Sequence, residues 1–329
     1  MRLPDFRYLE PSTLDEAAAV LREQGSECAI IAGGTDLLPS MKQGVLRPKG
    51  LLSLERIEGL DRIEFDSQGG LRLGPLVKIG DLEKEIPVLR TYPMVAQAAK
   101  AVASPQLRQM GTLGGNLSLD TRCYYYNQSE SWRRSRPKCI KMGGDRCNAV
   151  GRGKKCFAVF SGDLGPALMA LDAKIKLFSH KGERTVSLVD YYSGKGQSPL
   201  TKDSQEILVS IEIPPPPEVA FTAYYKYRTR RSIDFPLAAV AAVIRTSKKG
   251  KECLGARVVI SAVGTRPQEV KEIGNLLEGE KLDPIIMEKA SQLAFKAAKP
   301  VQNQGSSPEY RRHMVRLFVR KALEEAARG

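Results

Sequence analysis

Between residues 13 and 55 the apolar positions change spacing twice. Leu14, Ala17, Ala18 and Leu21 recur at the helical interval behind Thr13-Leu14-Asp15-Glu16, a capping box, and Gly25 ends the pattern. The apolar run CAIIA from Cys28 predicts a short strand, which runs directly into GGTDLLPSMKQG. This opening segment therefore reads as a strand-helix-strand unit with a glycine turn at a strand exit. From Leu51 the pattern shortens, and RIEF and LRLGPL on either side of SQGG predict a hairpin. Helical spacing over 79–85 and 94–102 precedes a second glycine turn, GTLGGNLSLD from Gly111. SGDLGPALMALDAKIKLF from Ser161 then passes again from helix to strand.

PPPPEV from Pro214 breaks the pattern most strongly, because consecutive prolines neither donate ladder bonds nor continue a helix. Beyond it, strands are expected over 222–227, 238–244 and 257–263, and helices over 284–298 and 308–327. No internal repeat is visible. The domains implied are 1–55, 56–218 and 219–329, in line with two or three cores for a chain of 329 residues. The opening MRLPDFRYLEPSTLDEA places prolines and acids where a signal peptide has an apolar core, which implies a cytoplasmic protein. The longest apolar run, FPLAAVAAVI from Phe235, falls short of the roughly 20 residues that cross a bilayer, so no membrane span is expected.

Charge and cysteine change this picture at one place. The formal net charge is +14, and residues 120–156 hold ten Lys and Arg against Asp120, Glu130 and Asp145, a local 10 − 3 = +7. The same stretch holds four of the six cysteines: Cys123, Cys139, Cys147 and Cys156, separated by 15, 7 and 8 residues. In a reducing compartment clustered thiols more often ligate metal than form disulfides. The spacing alone leaves a [4Fe-4S] cluster, structural zinc and unliganded thiols open. Cys28 and Cys253 stand alone among apolar neighbours and are expected as small buried hydrophobes. No RNP, helix-turn-helix or zinc-finger pattern accompanies the basic stretch, so no nucleic-acid partner is expected. His180 and His313 have no catalytic constellation around them, and no catalytic residue is assigned to this chain.

Ala32-Gly33-Gly34-Thr35-Asp36 can turn successive N–H groups toward one point and form an anion nest suited to a pyrophosphate. Gly111 to Asn116 has the same character and adds Thr and Asn side chains. Neither matches G-x-G-x-x-G or a P-loop. Either alone could be a structural turn, whereas two at strand ends suit a dinucleotide clamp.

These turns, with SGDLGPALMALDA, QEILVSIEIP from Gln205 and YYKYRTRRSIDFP from Tyr224, occur in an order that resembles the FAD-binding medium subunit of the xanthine oxidase family of molybdenum enzymes. The resemblance covers nearly the whole chain. It implies an α+β fold: a two-lobed FAD-binding domain of the vanillyl-alcohol-oxidase/PCMH-like type, and an α+β C-terminal domain. FAD would lie between the lobes. The main chain of Ala32, Gly33, Gly34, Thr35, Asp36 and Leu37 would hold its pyrophosphate, closed over by Thr112, Gly114, Gly115 and Asn116. Asp163 matches the family's acidic residue near the flavin, and Leu208 and Lys226 match positions beside the isoalloxazine ring. Read without the family, Lys226 would be a solvated strand lysine.

Plain flavin subunits of this family pass almost directly from the GGN turn to the GDLGPAL-like helix, so residues near 121–160 form an insertion. It resembles the loop that holds a [4Fe-4S] cluster in the corresponding subunit of 4-hydroxybenzoyl-CoA reductase, with Cys123, Cys139, Cys147 and Cys156 at the ligand positions. That branch implies an electron-transfer subunit. Its partners would be a molybdopterin large subunit and a small subunit with two [2Fe-2S] clusters, in a dimer of heterotrimers fed by an acidic ferredoxin at the basic insertion. The alternatives are the FAD subunit of an oxidative xanthine or carbon monoxide dehydrogenase, and a zinc-stabilised binding protein.

Overall fold

A computed structural model describes residues 2–151, 153–217, 219–247 and 252–328. Arg152 of the cysteine stretch and Glu218 of the proline linker lie outside the described residues.

The chain opens in a parallel three-stranded sheet, with Gly50–Ser53 between Arg7–Leu9 and Cys28–Ile31. The helix Leu14–Gln24 makes the crossover; Thr13 Oγ1 accepts from the Glu16 amide, and Ala17, Ala18 and Leu21 are buried. Arg7–Leu9 was not expected, because three residues with only Leu9 half-buried carry no readable alternation.

A five-stranded antiparallel sheet follows, in the order Ile63–Phe65, Leu71–Leu73, Ile207–Ile213, Lys174–Ser179, Gly182–Ser187. Ile63 pairs with Leu73 and Phe65 with Leu71, which is the hairpin expected around SQGG. The helical spacing over 79–85 forms only the short helix Ile79–Leu82, and a separate helix, Ile86–Thr91, follows with Pro87 in its first turn. The second glycine turn is itself helical: Thr112 caps the short helix Leu113–Leu117.

The C-terminal unit is an antiparallel sheet ordered Ala220–Tyr227, Ala238–Thr246, Cys253–Ser261, Gln268–Glu269, with Lys271–Leu277, Pro284–Ala297 and Pro308–Ala326 as its helices. Its central strand explains the apolar run FPLAAVAAVI. Ala238, Val240, Ala242 and Ile244 face the core shared with these helices, while Ala239, Ala241 and Val243 join the core of the second lobe. A strand buried on both faces needs apolar residues at every position, so the alternation disappears. Tyr224 and Val259 belong to that same second-lobe core, so the C-terminal sheet and the flavin lobe are packed as one body of side chains. Among the described residues no helix is long and apolar enough to cross a membrane.

Candidate functional site

The fold brings the two glycine turns into contact. A Cβ on Gly33 would overlap the Met110 carbonyl oxygen, so only glycine lets the exit of Cys28–Ile31 meet the main chain that enters the second turn. Gly34 adopts φ +66°. Among the described residues, the N–H groups of Gly33, Gly34, Thr35 and Asp36 have no protein acceptor. Successive open amides on a glycine turn suit a bound anion, and this donor set fits a pyrophosphate. Ala32 packs against the first-lobe core, and Leu37 opens the helix Leu37–Lys42.

The second turn is braced differently. Gly114 packs so closely that a Cβ would stand 2.7 Å from the Pro75 Cβ, and its N–H donates to Pro75 O. Thr112 Oγ1 accepts from the Gly115 amide at 3.2 Å, and Asn116 Oδ1 accepts from the Leu164 amide at 3.0 Å. These acceptors serve the fold, which leaves the Thr112 hydroxyl proton and Asn116 Nδ2 as donors with no protein acceptor among the described residues.

Asn116 ties the turn to the helix Leu164–Ala170, and Asp163 stands at that helix's start. Its carboxylate accepts from the Tyr224 hydroxyl at 2.6 Å and from Lys226 Nζ at 3.0 Å. Lys226 is therefore no solvated strand lysine. Its ammonium is buried and also donates to Ala101 O at 2.8 Å. Burial pushes the Asp163 carboxyl up and the Lys226 ammonium down, and each charge offsets the other's shift. Leu208 is buried at a bulge in Ile207–Ile213 and packs in the second-lobe core.

Ala101 O also accepts from Arg228, and the amide of Ile233 donates to Ala103 O at 2.9 Å. Ala103 has φ 39° and Ile233 φ 52°. A β-branched residue in that region costs on the order of 1–3 kcal/mol, and such strain concentrates at ligand clamps. The loop carrying Ile233 and Phe235 leaves both apolar side chains partly exposed beside this segment.

The insertion forms a compact module. Arg122 and Val159 pair across its neck, and Cys139 and Arg146 form a second bridge near its tip. Cys123, Cys139, Cys147 and Cys156 all line one small cavity, with Tyr126 and Lys141 also in its wall. Burial pushes the Cys123 thiol up to about 11, and the other three thiols add to that shift. Among the described residues no three His, Cys, Asp or Glu side chains are placed to share a single metal ion. Cys28 and Cys253 are buried in the first-lobe and C-terminal cores, away from this cavity.

The cations of the insertion do not form one free surface: some are buried and some exposed. Arg133 is buried, and its guanidinium donates to Gly44 O at 2.8 Å, Gln43 O at 3.3 Å and Gln128 O. It staples the module to the end of the helix Leu37–Lys42. The Lys141 side chain is 3% exposed, donating to Asp120 Oδ1, Thr121 Oγ1 and Gly196 O within 2.6–2.8 Å. Arg122 pairs with Asp36. Arg134 and Arg136 remain exposed. From the C-terminal unit, Asn303 Nδ2 donates to Phe157 O and Asn303 O accepts from the Tyr124 amide, so one residue fastens both the chain after Cys123 and the chain after Cys156. None of these long-range partners carries a local sequence signal.

Residues 4–216 match the family model for the FAD binding domain in molybdopterin dehydrogenase, and residues 223–326 match the CO dehydrogenase flavoprotein C-terminal domain. The chain belongs to this family of FAD-binding subunits of molybdenum dehydrogenases. Among its relatives, the aldehyde oxidoreductase FAD-binding subunit PaoB of Escherichia coli is 35% identical over 260 residues, 76% of this chain and 80% of that one. The carbon monoxide dehydrogenase medium chain of Afipia carboxidovorans is 28% identical, covering 98% and 96%. The solved structure of reconstituted CO dehydrogenase from Oligotropha carboxidovorans superposes with a TM-score of 0.81 at 26% identity, covering 100% of this chain and 99% of that one. This chain is thus an FAD-type subunit of a molybdenum-hydroxylase-family oxidoreductase.

Proposed function

We propose that the chain is the electron-transfer subunit of a 4-hydroxybenzoyl-CoA reductase-type enzyme, holding FAD between its lobes and a [4Fe-4S] cluster in the insertion. The supporting observation is the convergence of four otherwise scattered thiols on one buried cavity of a module stapled to the flavin domain. A mononuclear Zn–S site, with bonds of about 2.3 Å, would draw its sulfurs together onto one point. A [4Fe-4S] cluster would instead take one thiolate on each of four irons, and the four thiols that line the one cavity would supply them. Bound together, FAD and the cluster supply electron transfer between an outside donor and partner subunits that carry [2Fe-2S] clusters and molybdopterin. The chain's own residues would hold and insulate: the open amides at Gly33 to Asp36 would take the pyrophosphate, and the Lys226–Asp163–Tyr224 network would fix the sheet beside the flavin. The complex would be a dimer of heterotrimers, with ferredoxin as donor.

A second reading, an oxidative subunit delivering electrons outward, draws on the names of the relatives, which are aldehyde and carbon monoxide enzymes. Protein prepared without oxygen should contain about four irons and four sulfides on this chain, as Cys₄ ligation of the cluster requires. Cys139→Ser and Cys147→Ser should lose or degrade the cluster, whereas Cys28→Ser should not. Stoichiometric zinc without iron would sink the cluster assignment. Reduction of the assembled complex by an aldehyde, with no response to reduced ferredoxin, would favour the oxidative reading.

A further inference from the structure

The residue that opens the cysteine module reaches back to the first glycine turn. Arg122 Nη1 lies 3.1 Å from Asp36 Oδ1, and the guanidinium sits 4.1 Å above the centroid of the Phe235 ring. Its main chain is fixed independently: Arg122 N donates to Val159 O and Val159 N donates to Arg122 O, both at 2.8 Å. Gln304 Nε2 adds a third bond to Arg122 O at 3.2 Å. Among the described residues, Arg122 Nε and Nη2 have no acceptor. The side chain thus arrives at the turn rigidly held, with half of its fork unused.

The turn needs such a cation. Asp36 carries a carboxylate on the same few residues whose open amides suit an anion, and a lone carboxylate there repels a diphosphate. A guanidinium has five donors in a planar fork, so one edge can hold Asp36 while the other meets an oxyanion, and the Phe235 face fixes the plane.

We infer that Arg122 is a ligand of the dinucleotide's diphosphate, contributed by the cysteine module, so that the flavin site is complete only when that module is folded. This rests on the assignment of the Gly33 to Asp36 turn to the FAD pyrophosphate. Binding linkage is reciprocal: if the module supplies a flavin ligand, FAD stabilises the module. Loss of module structure would then weaken FAD retention, although the second glycine turn stays intact.

The test is titration of flavin-free protein with FAD, followed by quenching of flavin fluorescence. Arg122→Gln should weaken binding by about ten-fold or more, the usual scale for a lost hydrogen bond to a charged group. Arg122→Lys should recover part of the loss. Asp36→Asn should bind at least as tightly as wild type, and the double variant Arg122→Gln/Asp36→Asn should stay weak, because its diphosphate ligand is still missing. Arg90→Gln removes the same charge from an exposed position and should leave binding unchanged. Saturating FAD should also slow alkylation of the four module thiols in metal-free wild type, and fail to do so in Arg122→Gln. Wild-type affinity in Arg122→Gln overturns the inference. So does full recovery in the double variant, since Arg122 would then only neutralise Asp36. Wild-type protein that binds no FAD removes the assignment of the turn itself, and the inference with it.

Discussion

Lys226 Nζ and Asp163 Oδ2 stand 3.0 Å apart with both side chains 4% exposed, so neither charge has water to replace its partner. Removing one member of a buried pair costs about 3–5 kcal/mol, because the other charge is left uncompensated. Lys226→Ala should lose stability on that order in chemical denaturation, and Lys226→Met combined with Asp163→Asn should lose clearly less. Equal losses in the two variants would show that packing, and not the stranded carboxylate, sets the cost. The family resemblance singles out both residues, yet their pairing is illegible along the chain. Sixty-three positions separate them, and strand alternation says only which face Lys226 occupies, not what waits there. The open amides of the first turn were more legible, because glycines at a strand exit state a backbone need directly.

Arg133 and Arg134 are neighbours in the helix Glu130–Arg134, but they serve different ends. Arg134 is exposed and pairs with Glu130 at 2.6 Å, whereas Arg133 is folded inward against three carbonyls of the chain. Arg133→Met should destabilise the protein by about 1–3 kcal/mol for each carbonyl left unpaired and dry, less where water enters. Neutralising Arg134 and Arg136 should leave melting nearly unchanged and instead flatten the salt dependence of electron transfer from an acidic donor. A rate indifferent to salt in the native complex would leave the exposed cations without a docking role. The capped helix Leu14–Gln24 could be read from Thr13, since a cap is local chemistry. The strand Gly182–Ser187 could not: it lies at a sheet edge, and its first residues are exposed on both faces, so no periodicity marks it.

The proline linker suggests a boundary between independent units, but the packing joins what the linker separates. Ala239, Ala241, Val243 and Val259 complete the second-lobe core from the C-terminal side. Tyr224 and Lys226 satisfy a carboxylate that the flavin lobe buries, and Asn303 closes the neck of the cysteine module. A chain ending at residue 217 would therefore expose one face of its core, strand Asp163 in a dry site and unfasten the stretches after Cys123 and Cys156. These losses fall on the flavin site and the module together. The full chain should unfold in a single calorimetric transition, with flavin release, loss of near-ultraviolet dichroism and exposure of the module thiols all at one midpoint. Residues 1–217 alone should show no such transition and retain neither FAD nor iron. If 1–217 melts cooperatively and keeps its flavin, the shared core contributes little and the linker marks a real thermodynamic boundary. The structure argues the other way, because the residues that complete each half's buried polar groups and apolar face are carried by the other half.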